Sequence, residues 1–466
     1  MSINRRAGPT SVGYRSGAFQ ALCSLSLAAS CRLVLPGLVA GATLACASPE
    51  AVPTHAAALS ETRPPWRVEV YVWQRHVHAG VLSSMASVSA GGHVQRFNVL
   101  AAELAGGGAQ PRVTPIDLRP YAALAEDQQL GHCVGVSQAL SVRVASLRGS
   151  LRDHDTVLQA LARALLDARR RALAAGLRPS ELQVDFDATR GQLTDYARWL
   201  IALKAALPDV PLTFTALPDW LRSPDFAGLA RAADGFVLQG HALPDRAGPR
   251  TLCDPRAARR AAAAADTFGV PFRVALPTYS YGVARDARGR LVGVLAEGAA
   301  PRWPEGTRVE ELRAEPADML ALAKALASAG HRHLRGLLWY RLPVPGDVRA
   351  WPLTTFLAVR AGRSPRPSLH ASVRARDRSS ISLDLELYNS GDAPAPLPRA
   401  VSITAPVVAA DAFAGYRAER ADASRLTFAR DPQAGATALA PGERRTLGWF
   451  RLSQDGLPLP TPTLEE

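Results

Sequence analysis

Eight short apolar runs recur between residues 67 and 342, and several place their polar residues only at the C-terminal end. A run that is apolar along its length suits a strand covered on both faces, as parallel strands wrapped by helices are. The end at which polar groups gather is the end where the pocket of a parallel barrel opens. The pattern therefore predicts an α/β fold, a (β/α)8 or TIM barrel with a lined pocket. The eight strand candidates are Val68 to Arg75, Phe97 to Glu103, Leu140 to Leu147, Leu182 to Asp187, Leu212 to Leu217, Gly235 to His241, Phe272 to Pro277 and Leu334 to Arg341.

Helical patterns separate them at Asp155 to Ala175, Leu193 to Leu207, Asp225 to Ala232, Pro255 to Phe268 and Glu315 to Ala329. Gly176, Gly269 and Gly330 follow three of these, where a helix end favours a left-handed residue. Gly-rich Ala105 to Ala109 reads as a loop after the second strand, and Arg285 to Glu311 as a long polar insertion rimming the pocket. After residue 367 the texture changes to strict alternation, as in Ile381-Ser-Leu-Asp-Leu-Glu-Leu, with turn residues at Ser390-Gly391 and Pro441-Gly442. This predicts a small C-terminal β-sandwich over residues 368–460, with a frayed Pro-rich end. The barrel is expected over 66–362.

The first 46 residues read as an export segment: Arg5, Arg6 and Arg15 precede apolar Ala18 to Ala29, and Arg32 precedes a second apolar stretch to Ala45. Leu44-Ala45-Cys46 resembles a bacterial lipobox, with Leu44 one place nearer the cysteine than usual. Lipidation of Cys46 and simple cleavage both remain open. Residues 47–65, rich in proline, read as a tether. The expected location is the periplasm, or the cell envelope through a lipid anchor. Cys133 and Cys253 are the cysteines beyond this leader, and either a disulfide or two buried thiols would suit them.

The formal charge is +13, and only Lys204 and Lys324 among the 54 cationic residues are lysines. The arginines are scattered over nearly every segment instead of forming a stripe, which argues against nucleic acid as a partner. Neither metal-ligand spacing nor a Gly-rich phosphate loop occurs in the barrel, so no metal or organic cofactor is implied.

Strand alternation assigns the chemistry. In the fourth strand Val184 and Phe186 face the helices, while Gln183, Asp185 and Asp187 face the barrel axis. The same parity groups Glu69, Tyr71, Trp73 and Arg75 on the first strand, Thr213 and Thr215 on the fifth, and Gln239 with His241 on the sixth. It adds Arg273 and Tyr279 from the seventh and Trp339 with Arg341 from the eighth. Two neighbouring inward carboxylates demand compensation or share a proton, and a carboxyl held protonated near neutrality is what protonation of a glycosidic oxygen needs. The bland alternative is that Asp185 and Asp187 pair with Arg75, Arg143 or Arg341 inside the barrel. Trp73, Trp220, Trp339, Tyr279 and Tyr281 are candidates for stacking on sugar rings, although each taken singly is as readily core.

Five of these segments, Tyr71-Val-Trp-Gln-Arg, Leu182-Gln-Val-Asp-Phe-Asp-Ala, Leu212-Thr-Phe-Thr-Ala-Leu-Pro-Asp-Trp-Leu, Val237-Leu-Gln-Gly-His and Tyr340-Arg-Leu-Pro, resemble the bacterial DUF3142 family. The resemblance spans roughly residues 66–345 and implies a barrel of glycosidase type without naming a reaction, since that family has no established activity. A more distant similarity is to family-18 chitinase-like barrels, whose fourth strand carries Asp-x-Asp-x-Glu and whose eighth carries a tryptophan under the sugar. Asp185, Asp187 and Trp339 fit that pattern. Thr189 stands where the acid glutamate would be, and threonine cannot supply its proton.

The sequence reading is thus an exported barrel that binds a carbohydrate, such as an envelope glycan, with glycoside hydrolysis as the first hypothesis. Asp187 would be the acid, with Asp185 orienting it or stabilising positive charge. Trp73, Arg75, Gln239, His241, Tyr279, Trp339 and Arg341 would bind substrate. The rival is a non-catalytic glycan-binding or scaffold protein, and a third reading assigns partner binding to the sandwich.

Overall fold

The computed structural model describes residues 67–90, 94–105, 111–123, 137–241, 251–296, 301–376, 381–420, 422, 424–435 and 438–465. The chain divides into two units, Met1–Ser60 and Glu61–Glu466, and every described residue belongs to the second. The expected export segment with Cys46, the whole tether, Cys133 and most of the Gly-rich loop lie outside the described residues.

In chain order the first half comprises β1 (Arg67–Val72), α1 (Ala79–Ser89), β2 (Arg96–Ala105), β3 (Arg112–Pro115), β4 (Ser137–Val144), α2 (Asp155–Ala174), β5 (Pro179–Phe186) and α3 (Leu193–Ala206). There follow β6 (Leu212–Ala216), α4 (Phe226–Arg231), β7 (Gly235–Gln239), α5 (Pro255–Asp266), β8 (Phe272–Pro277), β9 (Ser280–Arg285), β10 (Leu291–Leu295) and β11 (Arg308–Arg313). The barrel region ends with α6 (Pro316–Ser328), β12 (Leu334–Tyr340) and α7 (Leu353–Arg360). The sheet runs β1-β12-β8-β7-β6-β5-β4-β2 in parallel, and β1 also pairs with β2, which closes it into an eight-stranded barrel. All eight sequence-predicted strands are present, and short antiparallel β3 extends the C-terminal part of β2.

Closure explains the continuous apolar runs. Val70, Phe97, Leu140, Val184, Phe214, Phe236, Val274 and Leu337 are buried between strands and helices in one large core. Removing such surface from water stabilises by about 25 cal/mol per Å2, and it binds the helices to the barrel wall. Gly176, Gly269 and Gly330 take φ of 76°, 72° and 68°, the left-handed conformation expected at the helix ends. At the start of α5 the Asp254 carboxylate accepts from the Arg256 N–H at 2.8 Å, and Pro255 occupies a first-turn position.

Three differences from the sequence reading have local causes. Helix α1, rich in serine and valine, has weak intrinsic propensity and is capped by His78, whose Nδ1 accepts from the Gly80 N–H at 3.1 Å; its pattern was not legible as a helix. Helix α7 is a short run whose burial comes from tertiary contact, with Phe356 and Val359 in the core. The expected polar insertion instead forms β10 and β11 on either side of β9, as a three-stranded antiparallel sheet, because cross-strand backbone pairing compensates for exposed Leu291, Val292 and Val309.

The C-terminal region contains β13 (Leu369–Ala375), β14 (Ser382–Asn389), β15 (Ala395–Pro396), β16 (Ala400–Thr404), β17 (Val407–Ala412), β18 (Tyr416–Arg420), β19 (Arg425–Arg430), β20 (Ala438–Leu439), β21 (Arg444–Leu452) and β22 (Thr463–Glu465). Two four-stranded antiparallel sheets, β13-β14-β21-β17 and β18-β19-β16-β22, share one core of Leu383, Leu385, Leu387 and Phe450 against Val401, Ile403, Leu426 and Phe428. The alternation along β14 places its leucines inward and Asp384 and Glu386 outward. The chain end is not frayed as expected: β22 pairs with β16, covering that strand's edge. The sandwich is tied to the barrel region by Thr355 Oγ1, which donates to the Asp392 carbonyl at 2.6 Å, and by Arg363, 3.1 Å from the Asp392 carboxylate.

Candidate functional site

The barrel interior is layered by the inward positions of successive strands, its polar groups interleaved with an apolar cluster that includes Leu100, Val237, Ala275 and Leu338. At the N-terminal end Glu69 (β1) and Glu181 (β5) face Arg96 (β2) and Arg273 (β8). Arg96 reaches Glu69 at 2.6 Å and Glu181 at 2.8 Å, and Arg273 reaches Glu69 at 2.6 Å and Glu181 at 2.5 Å. Asn98 donates to Glu69 at 2.9 Å and Thr213 to Glu181 at 2.7 Å. Opposed arginines hold the buried Glu69 carboxyl below its ordinary range although burial alone would raise it. The next layer is a hydrogen-bonded floor: Tyr71 Oη donates to Gln183 Oε1 at 2.5 Å, Ser141 donates to the same oxygen at 3.1 Å, and the Gln183 amide donates to Thr213 at 3.3 Å.

Above this floor, at the C-terminal end, lies a cavity of about 90 Å3. One wall carries Asp185 on β5 and Asp187 just beyond it, another Thr215 on β6, Gln239 on β7 and His241 after it. Trp73, Tyr281 and Tyr340 supply aromatic surface, and Arg143 on β4 completes the rim. Asp185 Oδ1 accepts from Thr215 Oγ1 at 2.8 Å, while Arg143 Nε lies 3.9 Å from Oδ2. Burial, together with the charge of Asp187, outweighs these partners and pushes the Asp185 carboxyl up to about 6. Asp187 is exposed at the mouth. The crowding of protein around its carboxyl raises its pKa, which Arg143 and the Gln239 amide partly offset. Burial pushes His241 down to about 4, so its imidazole is neutral near pH 7.

The cavity thus gathers five of the sequence-predicted residues: Asp185, Asp187, Trp73, Gln239 and His241. Four others lie outside its lining. Trp339 points outward, packing edge-on to Phe356 with centroids 5.8 Å apart and 6.2 Å from Trp351; the inward residue is its neighbour Tyr340. This parity was illegible because β12 is apolar on both faces. A Cβ on Gly336 would lie 2.1 Å from the Arg67 carbonyl, and that close approach accompanies a register irregularity between Leu334 and Gly336. Arg341 is bound at 2.6 Å by Asp347, which follows the strand and could not be tied to it by periodicity. Arg75 forms a half-exposed pair with Glu103 at 2.8 Å. Tyr279 is a backing residue, edge-on to His241 at 5.9 Å and to Tyr340 at 5.4 Å.

Other placements follow the same logic. Trp220 is core, edge-on to Tyr196. Arg273 belongs to the N-terminal ionic layer, six residues before Tyr279, which lies beyond the end of β8. Tyr281, a sugar-stacking candidate, also lines the cavity, whereas Arg143, Tyr71 and Tyr340 are lining residues that were not singled out as substrate-binding; the inward parity of Tyr71 was the available signal, and Arg143 comes opposite Asp185 only through the β4–β5 register. Cys253 is a buried free thiol whose Sγ donates to the Gly240 carbonyl at 2.9 Å, and burial pushes its pKa up to about 12. Among the described residues no three His, Cys, Asp or Glu side chains are grouped as a metal site requires.

These features define a (β/α)8-barrel protein with an acidic, aromatic-walled pocket at the C-terminal end of its strands and a separate β-sandwich. Residues 139–345, within the barrel, match the family described as "Domain of unknown function (DUF3142)", the family its strand-end motifs resemble; residues 372–453 match "Domain of unknown function (DUF8456)". No curated protein matches the chain. Among solved structures, the spore cortex-lytic enzyme SleL of Bacillus cereus is similar at 11% identity and a TM-score of 0.44, covering 64% of this chain and 74% of its own. Chitinase ChiA74 of Bacillus thuringiensis is similar at 10% identity and a TM-score of 0.39, covering 85% and 100%. A GH18 chitinase of Cycas revoluta in complex with allosamidin is similar at 14% identity and a TM-score of 0.40, covering 63% and 97%.

Proposed function

We propose that the pocket binds a glycan and hydrolyses a glycosidic bond, with Asp187 as proton donor and Asp185 as the companion carboxylate. The observation that carries this reading is Asp185 itself: a half-buried carboxyl raised to about 6 beside a second carboxyl, lining an open, aromatic-walled cavity. Asp185, raised by burial and by the charge of Asp187, keeps its proton into the weakly acidic range, and transfer of that proton to Asp187 arms the outer carboxyl. Asp187, at the mouth, is the member that can reach a glycosidic oxygen. When it holds the proton, Asp185 is the charge that stabilises an oxocarbenium-like centre. The step balances simply: the C1–O bond breaks as the Asp187 proton passes to the leaving oxygen, water bonds to C1, and the water's proton returns to the carboxylate pair.

The alternative of arginine-locked aspartates has little support. Arg75 and Arg341 are engaged by Glu103 and Asp347, and Arg143 stands too far from Asp185 for a hydrogen bond. Turnover of defined oligosaccharides by the wild type, lost in Asp187→Asn at unchanged melting temperature, is the expected result.

One observation favours the non-catalytic rival. Thr189 is exposed and its N–H donates to Gln192 Oε1 at 2.8 Å, so this position starts a helical turn and offers no acid. Calorimetric binding of a glycan by wild type and Asp187→Asn alike, with no product from either, would replace hydrolysis by recognition. We further propose export with attachment through Cys46, on the strength of the N-terminal sequence pattern; loss of the protein from the membrane fraction in Cys46→Ser is the test.

A further inference from the structure

Around the barrel, acids are matched to cations by direct contact. Glu69 and Glu181 share Arg96 and Arg273, Glu103 takes two nitrogens of Arg75, and Asp347 takes two of Arg341. Asp185 and Asp187 differ. Among the described residues Arg143 is the cation whose charge acts on both, and it comes no closer to Asp185 than 3.9 Å. The register sets Arg143 between Glu103 on β2 and Asp185 on β5, and Glu103 is already bound by Arg75. Asp185 Oδ1 accepts from Thr215 and Asp187 accepts from the Gln239 amide, but Asp185 Oδ2 accepts no hydrogen bond among the described residues. With 16% of its side chain exposed on the cavity wall, that carboxylate can be reached.

Two carboxylates facing one distant guanidinium leave negative charge short of compensation, in a pocket where surrounding protein limits screening by water. What enters can supply the partner. His241 is neutral near pH 7 and adds no charge of its own. Tyr281 and Tyr340, both partly exposed on the cavity wall, present ring surface that attracts cations as well as the apolar face of a sugar. Of the groups that glycans carry, hydroxyls and acetamides are neutral, and carboxylates, sulfates and phosphates would meet like charge. A protonated amine is positive and donates three hydrogen bonds, as a lysine ammonium does.

We propose that the glycan taken by this pocket is built of amino sugars with free amines, one ammonium being set against Asp185 Oδ2 in front of Tyr281 and Tyr340. This rests on the reading of the pocket as a glycan site and names its substrate class. The amine belongs on the carbon next to C1, since Asp185 is the carboxylate that serves the charge at C1. N-acetylation removes the positive charge and leaves a single N–H, so the acetylated sugar loses what the carboxylate selects. Arg143 works against the ligand, because its own charge repels the ammonium across the same carboxylate. An ammonium beside Asp185 favours the charged form of that group, and the proton that Asp185 gives up passes to Asp187, which faces the glycosidic oxygen. Asp185 is thus specificity-determining as well as the companion carboxylate, and Asp187 remains the catalytic acid.

The test uses the full chain with β-linked hexasaccharides of glucosamine and of galactosamine. Each has three twins of the same linkage: the N-acetylated chain, the neutral hexose chain and the uronic acid chain. In calorimetry at pH 6 and low salt, the amine form of one series should bind about 10-fold or more tightly than each of its twins. That advantage should vanish in Asp185→Asn and grow about 3-fold in Arg143→Gln, a rim variant expected to keep its melting temperature. Hydrolysis of an acetylated, neutral or acidic chain without preference for the amine would overturn the substrate class while leaving hydrolysis standing. Preference for the amine without turnover would uphold the class and sink hydrolysis. Equal affinity for the amine and its twins, or an amine preference undiminished in Asp185→Asn, would overturn the proposal. So would tighter binding of the acidic chain that is lost in Arg143→Gln, or no binding of any probe.

Discussion

Arg143 Nε stands 3.9 Å from the Asp185 carboxylate, near enough to attract its charge and too far to hydrogen-bond it. The four charged groups at the opposite end of the same barrel meet at 2.5 to 2.8 Å. One layer is electrostatically complete. The other is left short of compensation, and that contrast underlies the expectations that follow.

The first concerns rate against pH. If the pair must hold a proton, kcat/KM should be greatest in the weakly acidic range and fall as pH rises through about 6, the value to which Asp185 is raised. Asp185→Asn removes the group that titrates there and should abolish that limb while lowering kcat. A pH profile of both proteins checks this, and a flat wild-type profile from pH 5 to 8 would refute it.

Stability should fall over the same range. A carboxyl whose folded pKa lies above its unfolded value binds more protons in the native state, so its contribution is fully present at low pH and is lost as pH rises through the window between about 4 and about 6. Asp185→Asn, which keeps an acceptor for Thr215, should therefore stabilise the fold by about 1 to 3 kcal/mol at pH 7.5 and change it little at pH 4. Urea unfolding at the two pH values provides the comparison.

The N-terminal ionic layer should respond oppositely to truncation. Glu69 is fully buried and meets both Arg96 and Arg273, so Glu69→Ala leaves two guanidiniums underpaired and should cost about 3 to 5 kcal/mol. Because the layer lies below the floor, Glu69→Gln is expected to keep glycan affinity wherever it folds. Denaturation followed by calorimetry on the folded fraction separates the two effects.

Trp339 and Trp73 should differ in kind. Trp339→Ala removes core packing against Trp351 and Phe356 and should cost about 3 to 5 kcal/mol, whereas Trp339→Phe should leave ligand affinity unchanged. Loss of affinity in Trp339→Phe at full stability would mean that this indole does reach the ligand.

Cys253 should be inert in the native protein, since its thiol is buried, bonded to the Gly240 carbonyl and raised to about 12. Peptide mapping after iodoacetamide treatment should find it unmodified at pH 8 and modified once urea is added.

Much of this is legible in the sequence. The alternation of Gln183, Asp185 and Asp187 with Val184 and Phe186 marks which side is which, since one set is polar and the other apolar. The same contrast places Tyr71, Thr215 and Gln239. Where both faces of a strand are apolar the mark vanishes, which is why Trp339 and Tyr340 exchanged roles, and why the inward aromatic was assigned to the wrong residue. Helix α1 lacked propensity, while the Asp286 to Gly289 turn that joins β9 to β10 is a legible signal lying inside the stretch read as a polar insertion.

Sequence by itself determined the eight strands, the helix ends at Gly176, Gly269 and Gly330, the separate sandwich and the two inward carboxylates, because each rests on local periodicity or backbone preference. Tertiary structure alone decided which arginine meets which acid. Arg75 went to Glu103, Arg341 to Asp347 and Arg273 to Glu69 and Glu181, leaving Arg143 at a distance from Asp185. Ion pairing depends on which strands the closed barrel makes neighbours and how they are staggered, and neither is written in any one segment of the chain.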